Sequence, residues 1–74
     1  MENKLIEIAS KVFGINKEDI FLESSSKDIK QWDSLAHLNL ISEVEEQFGV
    51  NIPLEEVSNI SKLSDFLVYL NKDN

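Results

Sequence analysis

The sequence predicts an all-α fold: a small four-helix bundle of three main helices and one short one, with a long loop between helices 1 and 2. Three observations carry this. Apolar residues recur at three- and four-residue spacing near the start, in the middle and near the end of the chain, which is the period of a buried helical face. Gly14 and Gly49 each follow such a stretch, where glycine closes a helix end in the left-handed conformation. No run alternates apolar and polar residues as a half-buried strand would.

The first helix is expected over Glu2 to Phe13. Leu5, Ile8, Ala9 and Val12 form its stripe, and Ile6 and Phe13 widen it. Ile15 to Trp32 reads mostly as loop. Lys17-Glu18-Asp19-Ile20 is long enough for one helical turn, and Ser24-Ser25-Ser26 favours side-chain bonds to its own backbone. Ile20, Phe21 and Ile29 are expected to pin this loop to the core. So long a loop in so small a domain is more often functional than idle, although it also serves simply to span the bundle.

The central helix is expected over Ser34 to Phe48. Asp33 is a strong cap type and can accept a hydrogen bond from the first free N–H groups. At about 100° per residue, Leu40, Ile41, Val44 and Phe48 fall in one core-facing arc. A second strip holds Leu35, Leu38, Ser42 and Glu46, with Glu45 on the boundary. Pro53 suits the first turn of a short helix that ends by Asn59, with Glu55 and Glu56 at its positive end. Ser61 is placed to cap the last helix, Lys62 to about Asn71, whose stripe is Leu63, Phe66, Leu67 and Leu70 with Tyr69 beside it. Lys72-Asp73-Asn74 is expected to fray.

Seventy-four residues make one domain, 1–74, with enough apolar content, 42%, for one core. A chain this short buries only about 60% of its unfolded surface and cannot wall a deep active site. It has no cysteine, hence no disulfide and no thiolate metal site. The start lacks a signal peptide's basic head and apolar run, and no stretch approaches a membrane span, so a cytoplasmic location is expected. The net charge is −7. From Gln31 to Ser61 the acids Asp33, Glu43, Glu45, Glu46, Glu55 and Glu56 stand without a single Lys or Arg. Such a surface repels nucleic acid and anionic lipid and attracts proteins with basic patches, unless it serves solubility alone.

The stretch Trp32-Asp33-Ser34-Leu35 therefore sets a serine hydroxyl at the exposed start of a rigid helix, on the edge of an acidic surface. Asp33-Ser34-Leu35, the helix ending Glu45-Glu46-Gln47-Phe48, and the downstream Ile52-Pro53, Glu55-Glu56, Ile60, Phe66 and Tyr69 together resemble the acyl carrier protein family, over nearly the whole chain. The resemblance implies that Ser34 carries a covalent 4′-phosphopantetheine arm, derived from coenzyme A, whose thiol bears acyl or aminoacyl groups as thioesters. It implies a carrier rather than an enzyme, and a monomer. Its partners would be a phosphopantetheinyl transferase and acyl- or aminoacyl-handling enzymes with basic patches. Asp33 would cap the helix beside the arm, and Leu35, Leu38, Glu45, Glu46 and Glu56 would contact partners. A helix N-terminus also suits the negative phosphodiester such an arm brings.

Three departures bear on the pathway. Carriers of bacterial fatty acid synthesis often have an acid directly after the triplet and another three residues later; here those positions hold Ala36 and Asn39. Ser42 stands where a methionine is common. A dedicated carrier for a polyketide-like product, a modified sugar or a cell-surface polymer fits at least as well as fatty acid synthesis. The competing reading is a small acidic interaction module in which Ser34 is merely structural.

Two other residues invite chemistry. His37 lies three residues after Ser34, within reach of a serine–histidine contact. Yet it falls in the core arc with no third orienting group and no oxyanion hole, so a partly buried histidine bonded to loop backbone is expected. Trp32 reads as a loop anchor over one end of the core, with contact to the arm or a partner as the alternative. The glutamates Glu43, Glu45, Glu46, Glu55 and Glu56 suit weak cation contact at most, since no EF-hand loop is present.

Overall fold

The computed structural model describes residues 2–70. Helix α1 spans Glu2–Phe13 and helix α2 spans Ser34–Phe48, both as expected. Single 3-10 helices lie at Lys17–Asp19 and Leu54–Asn59. The last helix begins as a 3-10 turn, Leu63–Phe66, and continues as a short α-helix, α3, over Leu67–Leu70. Its expected end at Asn71, and the tail Lys72-Asp73-Asn74, lie outside the described residues. Gly14 and Gly49 take φ of 69° and 66°, the left-handed conformation that closes α1 and α2.

One core holds these pieces. Leu5, Leu40, Val44, Leu63 and Phe66 have no exposed surface, so α1, α2 and the last helix meet there. Val12 and Phe48 are only half-buried, and Phe13 and Ala36 are buried more completely than either. Phe48 packs at the core's edge, where the Lys4 ammonium sits 5.2 Å from its ring centre.

The long loop is tied down more firmly than its composition suggests. Ile20 and Ile29 are buried, but Phe21, expected beside them, is 64% exposed. The backbone is extended at Ile20, so adjacent side chains point to opposite sides and only one can face inward. The buried Ser24 hydroxyl accepts the Phe21 N–H at 2.9 Å, and Ser25 bonds Asp28. The same loop pairs with the start of the last helix. Leu63 N–H donates to Ser24 O, Ser64 N–H donates to Leu22 O, and Lys62 meets Glu23 at 3.4 Å.

Two caps differ from expectation. Pro53 precedes the 54–59 turn rather than joining it, with its carbonyl accepting the Glu56 N–H at 2.9 Å. The Ser61 hydroxyl does not cap the last helix. Asp65 instead reaches back and accepts the N–H groups of Ser61 and Lys62 at 2.9 and 3.0 Å. A carboxylate can receive several donors at once, which one hydroxyl cannot match.

Candidate functional site

Ser34 is the first residue of α2. Asp33 precedes it in an extended conformation, and its Oδ1 accepts the Ala36 N–H at 2.8 Å. The Asp33 carbonyl accepts the His37 N–H at 2.8 Å. These two bonds start the helix squarely and leave the Ser34 and Leu35 N–H groups at its end without a main-chain partner among the described residues. Ser34 itself is exposed.

A shallow groove of about 590 Å³ opens beside this serine. Trp32, Asp33 and Ser26 come from the loop, and Ser34, His37 and Leu38 from α2. Val57, Ser58, Ile60 and Ser61 form the opposite wall. Trp32 is 5% exposed and lies against Phe13, ring centres 5.2 Å apart, so it anchors the loop as expected. His37 is half-buried, and its Nε2 lies 2.8 Å from the Val57 carbonyl oxygen. The bond from the Trp32 indole N–H to His37 Nδ1, 2.9 Å, carries no signal in the sequence beyond the presence of the two residues.

The expected partner contacts divide. Leu35 and Leu38 are 69% and 54% exposed, and Glu46 is exposed. Leu38 alone among them borders the groove with Ser34. Glu45 and Glu56 are half-buried with internal duties. Glu45 accepts the Ile52 N–H at 2.8 Å and so fixes the turn after α2. Glu56 accepts the Tyr69 hydroxyl at 3.1 Å and the Asn59 amide at 3.4 Å. Burial, the bond to Glu56 and the nearby charges of Glu56 and Asp65 raise the Tyr69 phenol above its ordinary value. Exposed Leu54, at 83%, adds an apolar side chain that the sequence reading passed over. Among the described residues no cluster of three His, Cys, Asp or Glu is arranged to hold a metal.

This site suits an anionic, covalently attached group. The hydroxyl is exposed, the free amides at the helix end favour negative charge, and the serine's own backbone is fixed on both sides. Ser24 suits it less, since it is 7% exposed and its hydroxyl accepts the Phe21 N–H.

Comparison with known proteins points to one family. The family model described as the phosphopantetheine attachment site matches residues 3–70. The acyl carrier protein of Acidothermus cellulolyticus is 38% identical over 66 residues, 89% of this chain and 79% of that protein. That of Renibacterium salmoninarum is 35% identical over 66 residues, 89% and 82% of the two chains. That of Rickettsia bellii is 31% identical over 70 residues, 95% and 81%.

Proposed function

Since the chain belongs to the acyl carrier protein family, whose members bear a covalent 4′-phosphopantetheine, we propose that Ser34 is where this chain carries it. On this reading residues 1–74 form one carrier domain. The bound arm supplies a terminal thiol that holds an acyl group as a thioester. The chain's own residues supply position and charge. Asp33 holds the first turn of α2, the Ser34 and Leu35 amides would favour the negative phosphodiester, and Trp32 anchors the loop on Phe13. The observation that carries the assignment is an exposed serine at the capped end of the chain's longest helix.

Members of this family are carriers rather than catalysts, and they work with a phosphopantetheinyl transferase and acyl-handling enzymes. The contact face proposed here is Leu35, Leu38 and Glu46, with Leu54 and Glu55 from the neighbouring segment, all exposed. It would meet basic patches on those enzymes. A dedicated pathway fits the cargo at least as well as fatty acid synthesis. Ala36 puts no acid directly after the triplet. Asn39 and Ser42 are neutral as well.

Co-expression with a broad-specificity transferase, followed by intact mass and peptide mapping, tests the assignment. One added arm on the peptide holding Ser34 is expected. An unchanged mass, or an arm on Ser24, Ser25 or Ser26, would overturn it. Efficient loading by the malonyl-transferring enzyme of fatty acid synthesis, in preference to carboxylate-activating ligases, would return the chain to the general pathway.

A further inference from the structure

His37 stands three residues after Ser34, and the carrier role gives it no task. Both of its ring nitrogens are nevertheless committed. The Trp32 indole N–H donates to Nδ1 at 2.9 Å, and Nε2 lies 2.8 Å from the Val57 carbonyl oxygen. An indole N–H only donates, and a carbonyl oxygen only accepts. The two bonds therefore coexist only when the imidazole is neutral with its proton on Nε2. Their placement is specific as well. Trp32 and His37 flank the Asp33–Ala36 cap, so their bond closes a ring around Ser34. Val57 belongs to the opposite wall of the groove.

We propose that His37 is a positioning residue of the attachment site: its Nε2–H seats the 54–59 segment against the start of α2, and its Nδ1 lone pair, present only in the neutral ring, is a latch that receives the Trp32 indole and fixes the Ser34 turn. A proton on Nδ1 removes the lone pair that receives the indole N–H and leaves two donors facing each other. The latch is closed in the neutral Nε2–H ring and open once Nδ1 carries a proton. No other group takes its place. Asp33 is the other ionisable side chain lining the groove, and its carboxylate is bonded to the Ala36 N–H. The opposite wall presents Val57, Ser58, Ile60 and Ser61, and Glu56 is turned to Tyr69. From α1 the Phe13 ring lies against the indole, ring centres 5.2 Å apart. Opening breaks the indole bond while Nε2–H keeps the Val57 carbonyl, so the wall stays seated and only the Ser34 turn is loosened, with the indole still packed on Phe13. Loading at Ser34 falls as a result.

That consequence rests on the carrier reading; the latch itself does not, so the experiment begins on the unmodified protein. Nitrogen NMR of His37 should show the Nε2–H tautomer at about pH 8, with the Trp32 indole proton protected from exchange; the same spectra at about pH 5 report whether Nδ1 has taken a proton, and wherever it has the indole protection should be lost. H37Q keeps one donor and one acceptor without titrating, so it should retain indole protection at both pH values. H37F should lose it. Transferase loading is then measured as a ratio to wild type at each pH, which cancels the transferase's own pH dependence. H37F should load about three- to tenfold more slowly near pH 8, whereas H37Q restores most of the rate and exceeds wild type by a similar factor wherever the spectra show Nδ1 protonated. W32F removes the indole donor together with part of a buried ring and should follow H37F in loading, with circular dichroism confirming that both are folded. A proton on Nδ1 near pH 8, or an indole proton indifferent to H37F, would overturn the latch. Equal loading of wild type and all three variants at both pH values would overturn its role at the site. Absence of an arm on every chain, wild type included, would strike the carrier reading and leave the NMR result to decide the latch.

Discussion

At the scale of single residues, Asp33 and Ser34 separate structure from chemistry. Asp33 accepts the Ala36 N–H, so it belongs to the helix; Ser34 offers its exposed hydroxyl to no structural bond among the described residues. Ser34→Ala should therefore abolish attachment of the arm while changing stability by less than about 1 kcal/mol, because the cap survives. Asp33→Ala should do the converse in part, costing about 1 kcal/mol and slowing modification by loosening the turn. Thermal melts beside intact-mass spectra read both. A fully modified Ser34→Ala chain would point to a different serine. Asp33 as a cap was legible in the sequence, because a cap needs only a short acid before a periodic run. The Trp32–His37–Val57 chain of bonds was not, because it joins residues that only the folded groove brings together.

At the scale of elements, α1 and α2 were legible to the residue, since period and terminal glycine agree. The last helix was not. Its first turn is a 3-10 helix paired to the long loop, and local sequence does not encode a partner forty residues away. Asp65 governs that junction. Burial alone would raise its carboxyl, but the N–H groups of Ser61 and Lys62, the Ser61 hydroxyl and the Lys62 charge together hold it below its ordinary value of 3.8. The sign is that of a lowered carboxylate. The stabilisation is fully present above the ordinary value and is lost as pH falls through the lower, folded one. Asp65→Ala should cost about 1 kcal/mol near neutral pH, the usual scale of a lost cap. Melting both proteins across a pH series should show the gap closing below about pH 4. A gap that stayed constant into strong acid would mean that the carboxylate charge contributes nothing at this junction.

At the scale of the whole molecule, folding and recognition draw on different surfaces. Val44 and Phe66 have no exposed surface, so replacing either with alanine should cost about 2–5 kcal/mol, a large share of the stability of a domain this small. A variant melting like wild type would misplace the core. On the proposed reading, recognition rests instead on the acids. Glu45 is unsuitable as a probe because its carboxylate holds the Ile52 N–H, and removing it would perturb the turn after α2. Glu46 and Glu55 are exposed, and neither makes a side-chain bond among the described residues. Reversing both to lysine shifts the net charge by two units at each site, from −7 to −3. The fold should survive, since exposed charges contribute only about 0–1 kcal/mol. Rim charges act mainly on the association rate through long-range attraction. Arm transfer to the double variant should therefore slow about tenfold at low salt. The gap should narrow as the Debye length shrinks to about 8 Å near physiological ionic strength. The measurement is the modification rate of both proteins across a salt series, with circular dichroism as the folding control. Equal rates at every salt concentration would leave the acidic face as a solubility device and move docking onto the exposed leucines Leu35, Leu38 and Leu54.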